Sequence, residues 1–172
     1  MKIVLIGYMG SGKSTVAKQL AKELDLPFTD LDDYIIEKEK LSIKEIFDTK
    51  GEIYFRLKES EYLKQLLHDE NAGVLALGGG TPCYGNNMQL IKEASQSFYL
   101  KASIATICQR LRNEKAQRPL IASLDDKQLN EFVAKHLFER RNFYEQATVV
   151  IPIDNKSVTD LVVELIKQCS SS

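Results

Sequence analysis

Close to the amino terminus, Gly7-Tyr8-Met9-Gly10-Ser11-Gly12-Lys13-Ser14-Thr15 sets glycines, a lysine and hydroxyls in the order Gly-x-x-x-x-Gly-Lys-Ser. That order suits an anion. Gly7, Gly10 and Gly12 admit backbone angles that a side chain forbids, so successive N–H groups, with Ser11 among them, can turn inward around a phosphate. Lys13 is spaced to reach the β- and γ-phosphates of a nucleotide, the Ser14 hydroxyl to ligate Mg²⁺, and Thr15 to donate to the α-phosphate. A Gly-rich turn can match such a pattern by chance, but the flanks argue otherwise. Ile3-Val4-Leu5-Ile6 has the apolar, mostly β-branched make-up of a strand buried on both faces, and Val16, Ala17, Leu20, Ala21 and Leu24 recur at helical spacing. A helix starting near Lys13 adds the positive end of its dipole to the same anion.

A phosphate cradle names a nucleotide but no reaction. Asp30 and Asp32 follow a short apolar stretch and alternate, so one carboxylate can face the metal and the other an incoming hydroxyl, as a general base must. An acidic helix start that complements the dipole is the plainer alternative. Gly51-Glu52-x-x-Phe55-Arg56-x-x-Glu59 puts Arg56 and Glu59 on one helix face, either as a surface ion pair or as a guanidinium fork for a carboxylate. Gly78-Gly79-Gly80 closes an apolar run and implies close approach to the backbone. Arg118-Pro119, within a charged irregular stretch, has the character of a lid that carries an arginine to a transferring phosphoryl group. Arg140-Arg141 lies late in a helix, where cations also suit the dipole.

The elements that must position these groups follow from periodicity. Strands are expected at 3–6, 26–29, 73–77, 97–100 and 148–151. Helices are expected after the phosphate loop, from Tyr34 to about Lys40, from Ser42 to Gly51, and from Glu52 to about Asp69. Further helices cover about 86–94, 104–113 and 126–144, and a last one is capped by Ser157-Val158-Thr159-Asp160. Ser42-Ile43-Lys44-Glu45 is a capping box. Residues 169–172 read as a polar tail. Alternating strands and helices predict an α/β fold, a five-stranded parallel sheet with helices on both faces. Ligands in such folds sit beyond the carboxyl ends of the strands, where the phosphate loop, Asp30-Asp32 and the glycine run all fall.

A chain of 172 residues is expected to form one domain. With 23 basic and 24 acidic residues it has no basic field for nucleic acid or a membrane surface. Three cysteines without metal or disulfide spacing fit the reducing cytoplasm, and Met1-Lys2 leads straight into a strand, so no signal or transit peptide is expected.

The chain resembles the shikimate kinases over nearly its whole length. The matching blocks are residues 7–15, Phe28-x-Asp30-x-Asp32, Ser42-Ile43-x-x-Ile46-Phe47-x-x-x-Gly51-Glu52-x-x-Phe55-Arg56-x-x-Glu59, Leu77-Gly78-Gly79-Gly80, Arg118-Pro119-Leu120 and Arg140-x-x-x-Tyr144. The resemblance implies a P-loop NTPase fold similar to nucleoside monophosphate kinases, with a helical substrate region at about 31–60 and a lid at about 112–126. It implies transfer of a phosphoryl group from ATP, with Mg²⁺, to the 3-hydroxyl of shikimate in the route to chorismate and aromatic amino acids. In its terms Lys13, Asp32 and Arg118 are catalytic, with Asp32 the base. Gly10, Ser11, Gly12, Lys13, Ser14, Thr15, Arg110 and Arg118 bind ATP, Arg110 or alternatively Arg112 packing on adenine. Asp32, Arg56, Gly78, Gly79, Gly80 and Arg140 bind substrate, and Ser14 and Asp30 serve the metal. The family's Arg-x-Pro-Leu-Tyr stretch is here Arg140-Arg141-Asn142-Phe143-Tyr144, which leaves Arg141 open as the alternative to Arg140. The expected state is a cytoplasmic monomer. Two other classes compete. Asp48-Thr49-Lys50-Gly51 spells a metal-site pattern of GTPase switches, but it sits at a helix end and no Asn-Lys-x-Asp accompanies it. A catalytically silent nucleotide-binding module would need a damaged loop or base, and both are intact.

Overall fold

A computed structural model describes residues 2–71, 73–118 and 120–170. Its centre is β1 (Ile3–Ile6), every residue of which is fully buried. Around it β2 (Phe28–Asp30), β3 (Val74–Ala76), β4 (Gln96–Lys101) and β5 (Val149–Pro152) complete an all-parallel sheet in the order β2-β3-β1-β4-β5. Leu5 pairs with Ala76 on one side and Phe98 on the other, so the strand preceding the phosphate loop is held from both sides. This double embedding explains the uninterrupted apolar composition of Ile3-Val4-Leu5-Ile6.

The helices are α1 (Lys13–Glu23), α2 (Leu31–Glu39), α3 (Ile43–His68), α4 (Asn87–Ala94), α5 (Ile104–Glu114), α6 (Asp126–Tyr144) and α7 (Val158–Ser170). Helix α1 packs with α7, and α3 packs with α4. Right-handed crossovers in this strand order put those two pairs on opposite faces of the sheet. The capping boxes form: Ser42 Oγ accepts from Glu45 N while Glu45 returns to Ser42 N, and Asp125 and Gln128 do the same at α6. Ser157 and Asp160 cap α7 reciprocally.

Gly51 breaks α3 as the sequence predicts. At φ 85° and ψ 170° it occupies a region essentially reserved for glycine, so the helix bends between its two halves. One half-buried carboxylate holds the bend. Glu39, at the end of α2, accepts from Tyr62 Oη (2.6 Å), from Tyr54 Oη (2.7 Å) and from Lys50 Nζ (3.2 Å). These bonds hold its carboxyl down at about 2. Lys50 precedes the bend and both tyrosines follow it.

Two expectations need correction. Helix α2 begins at Leu31 rather than Tyr34, because Asp30 caps it: Asp30 Oδ1 accepts from Asp32 N at 3.0 Å. Cys169 and Ser170 are helical and not tail, since Cys169 continues the buried stripe of Leu161, Val162 and Leu165. Ser171 and Ser172 lie outside the described residues.

Candidate active site

The carboxyl ends of β1, β3 and β2, neighbours in the sheet, each deliver one component. After β1 the loop turns through Gly10 (φ 76°) and Gly12 (φ 82°), the latter the left-handed N-cap of α1. Lys13 follows, nearly buried, with Nζ donating to the Tyr8 carbonyl at 2.9 Å and standing 3.4 Å from Ser11 Oγ. Burial pushes its pKa down to about 8, against the opposing pull of the Asp32 and Asp30 carboxylates.

The end of β2 supplies two carboxylates. Asp30 Oδ2 accepts the Ser14 hydroxyl at 2.5 Å, so the two expected metal-side groups meet. Asp32 lies in the first turn of α2 and not on an extended segment, so its divergence from Asp30 comes from the helix cap rather than strand alternation. An aspartate followed by two more acids before a helical pattern is the signal that locates this cap. Burial pushes the Asp32 pKa up to about 6, with the charges of Asp30 and Glu59 adding and Lys13 opposing.

After β3 the three glycines form a floor. A Cβ on Gly78 would stand 3.3 Å from both Asp32 Oδ1 and Glu59 Oε1. One on Gly79 would stand 3.3 Å from Arg140 Nη1, and one on Gly80 only 2.6 Å from Arg56 Nη2. The expected close approach is thus made by the protein's own groups: two guanidiniums and two carboxylates set along three consecutive residues. Of the adjacent arginines on α6, Arg140 is the one that reaches this run; the exposed Arg141 lies over the Phe138 ring instead. Tyr144 Oη fixes the run from beneath by donating to the Gly79 carbonyl at 2.6 Å.

Arg56 is not in a surface ion pair. Its Nη1 bonds Glu59 Oε2 at 2.7 Å, and Glu59, 1% exposed, also accepts from Thr81 Oγ1 at 2.6 Å. Glu59 and Thr81 are site residues whose roles sequence reasoning passed over. The signal for Glu59 is a charge on the inward stripe of Phe55, Tyr62 and Leu63.

A cavity of about 350 Å³ joins the phosphate loop, the two aspartates and the start of the glycine run, lined by Gly10, Gly12, Lys13, Ser14, Thr15, Asp30, Asp32, Gly78, Gly79, Arg110 and Arg118; Arg56 and Arg140 stand behind the glycine run and are not in its lining. An adjoining one of about 570 Å³ shares Met9, Asp32 and Arg118 with it and is otherwise walled by Ile43, Phe47, Leu120 and Ile121 among others. A family profile described as shikimate kinase matches residues 9–170.

The chain belongs to the shikimate kinase family.

Among its relatives, the shikimate kinase of Flavobacterium johnsoniae is 48% identical over 166 residues, 96% of either chain. That of Flavobacterium psychrophilum is 47% identical, covering 96% of this chain and 97% of the relative. The crystal structure of shikimate kinase from Bacteroides thetaiotaomicron superposes with a TM-score of 0.91 at 33% identity, covering 99% of this chain and 98% of that one. The Acinetobacter baumannii enzyme, solved in complex with shikimate, gives 0.88 at 31% identity, covering 99% and 93%.

The other residues expected at the site lie on α5 and in the segment that follows it. Arg110 Nη1 donates to the Gly10 carbonyl at 3.2 Å, which places it on the phosphate loop, whereas Arg112 pairs with Asp126 at the start of α6. Arg118 donates through Nε and Nη2 to a single oxygen of Glu114, at 2.9 and 2.7 Å. Pro119, beside it, lies outside the described residues. Asp154 Oδ1 accepts from Ser103 N at 3.1 Å, tying the loop after β5 to the start of α5. Asp48, from the GTPase-like pattern, is exposed and paired with Lys44. No group of three or more His, Cys, Asp or Glu that could hold a metal occurs among the described residues. Ser14 and Asp30 offer an oxygen pair of the kind that suits Mg²⁺, which takes one or two protein ligands and completes its shell with phosphates and water. Among the same residues no helix is long and apolar enough to cross a membrane.

Proposed function

We propose that this chain transfers the γ-phosphoryl group of ATP to the 3-hydroxyl of shikimate, giving shikimate 3-phosphate and ADP, in the route to chorismate and the aromatic amino acids. The observation that carries this reading is the glycine run. It faces one carboxylate with a raised pKa and two guanidiniums, and two of its glycines line the cavity that also holds Lys13. A hydroxylated small acid needs that set: a proton acceptor for the hydroxyl, planar cations for the carboxylate and a phosphate cradle within reach. The Acinetobacter relative binds shikimate.

In this reading Gly10, Ser11, Gly12, Lys13, Ser14 and Thr15 bind the nucleotide phosphates, and Arg110 covers the adenine side. Arg56 and Arg140 hold the substrate carboxylate, while Gly78, Gly79 and Gly80 touch its hydroxyls. Asp32 orients the 3-hydroxyl and takes its proton as the oxygen bonds to phosphorus. The bond from phosphorus to the β-phosphate oxygen breaks, and ADP leaves with that electron pair. Lys13 and Arg118 neutralise charge on the moving group, which requires Arg118 to exchange Glu114 for phosphate. Mg²⁺, held by Ser14 and by Asp30, would supply charge neutralisation on the phosphates. The whole chain acts as one domain, with residues 31–60 as the substrate region and 112–126 as the lid. It works as a cytoplasmic monomer without nucleic-acid or membrane partners. Coupled measurement of ADP release tests the substrate: shikimate should elicit turnover and gluconate should not. Release with gluconate but not with shikimate rejects the assignment.

A further inference from the structure

The phosphate loop contains a side chain that its cradle does not use. Tyr8, 1% exposed, projects toward α6. Its hydroxyl lies 3.0 Å from His136 Nδ1, with the two rings edge to face at 5.6 Å. The Arg140 guanidinium carbon sits 5.9 Å from the Tyr8 ring centre, within cation–π range. Phe132 packs on the other side of His136 at 5.2 Å. Residues 132, 136 and 140 are successive fours, so they lie one above another on a single face of α6. Tyr8 therefore grips the helix one turn before the arginine and supports the arginine itself. Its backbone carbonyl meanwhile holds Lys13.

The protonation states suit the bond. Burial, reinforced by Arg140, holds His136 below the usual imidazole range, so its neutral form prevails near pH 7. Burial pushes Tyr8 up to about 12, so it keeps its proton to donate. With Tyr8 as the donor, the neutral imidazole carries its proton on Nε2; the Nδ1–H tautomer keeps the same bond in the reverse direction.

We propose that Tyr8 and His136 are positioning residues for the substrate-anchoring arginine: their hydrogen bond registers α6, and with it Arg140, directly against the phosphate loop. This rests on Arg140 holding the substrate carboxylate. An arginine has many rotamers, and small errors in the distance between an acid's anchor and the transferring phosphoryl cost turnover steeply. A tether from the loop that holds one substrate to the helix that holds the other removes that freedom without touching either.

Steady-state kinetics of the full chain test the inference. Tyr8→Phe keeps the ring and removes the hydroxyl; it should raise the shikimate KM about 3- to 10-fold, the scale of one lost hydrogen bond. The ATP KM should stay within about twofold. His136→Leu should match it. His136→Gln, whose amide oxygen can still accept from Tyr8, should recover most of the loss. The double variant Tyr8→Phe, His136→Leu should be no worse than either single change. An unchanged shikimate KM in Tyr8→Phe overturns the inference. So does an ATP KM that rises in step, which would make Tyr8 part of the phosphate cradle alone, and so does additivity of the two changes. Should Tyr8→Phe fold poorly, the contrast between His136→Gln and His136→Leu carries the same test. Arg140→Ala separates the two readings: an unchanged shikimate KM there removes the anchor itself. A raised one beside an unaffected Tyr8→Phe removes only the tether.

Discussion

Burial acts in opposite directions on the two charged side chains closest to the proposed chemistry. Asp32 is pushed up to about 6, so it must lose its proton before it can take one. We expect kcat/KM for shikimate to fall as pH drops below about 6, approaching tenfold per unit, and a pH profile checks this. The same shift means that the charged carboxylate opposes folding at neutral pH. The stability of the protonated form is present in full below the ordinary carboxylate range and is lost as pH rises through about 6. Asp32→Asn should therefore lower kcat by about 10²- to 10⁴-fold. It should also melt higher than the parent at pH 8, by on the order of 1–3 kcal/mol, with the gap closing toward pH 4. A variant that loses activity and stability together would deny this trade. Lys13 is held down at about 8 by burial. A bound triphosphate favours its charged form, so nucleotide binding near pH 8 should take up a proton and weaken as pH rises further. Calorimetry in two buffers of different ionisation enthalpy measures that uptake.

At the scale of the element, glycines decide where the long side chains go. At Gly80 a methyl group would overlap the Arg56 guanidinium at 2.6 Å. Gly80→Ala should raise the shikimate KM much as Arg56→Ala does while the chain stays folded, and kinetics beside a melting curve distinguish the two effects. Gly51→Ala places a side chain at φ 85°, ψ 170° and should cost about 1–3 kcal/mol, read by denaturant unfolding. These elements differ in how far the sequence reveals them. The strand–loop–helix around Lys13 is legible because every part of it is local and contiguous. So are the cap at Ser42 and the break at Gly51, which depend on neighbours within four residues. Asp30, Asp32 and Asp33 signal the start of α2, but their suitability as alternating ligands masks it. Glu59 betrays itself only as a charge on an apolar stripe. The bond between Tyr8 and His136 spans 128 positions, and no periodicity carries information over that distance.

At the scale of the whole molecule, the residues proposed to hold the two substrates come from different parts of the chain. The phosphate loop follows the central strand, while Arg56 comes from α3 and Arg140 from α6. Ligands that bridge such elements stabilise the fold in proportion to their occupancy, about 2.7 kcal/mol at a hundredfold excess over Kd. Shikimate should raise the melting temperature by itself, by about 5–10 °C at that excess in a chain of this size. A melt that does not respond to shikimate would leave the acid-binding half of the site without support. The clasp at Glu39 has a consequence of another kind. Tyr54 and Tyr62 donate phenol hydrogen bonds to one carboxylate across the bend in α3, and the chain has seven tyrosines and no tryptophan. A phenol bonded to a carboxylate differs from a hydrated one in near-ultraviolet absorbance and in emission. Movement of α2 against α3 would alter that spectrum with no indole to obscure it, so the chain carries a built-in chromophore that reports the fit of these two helices without any label.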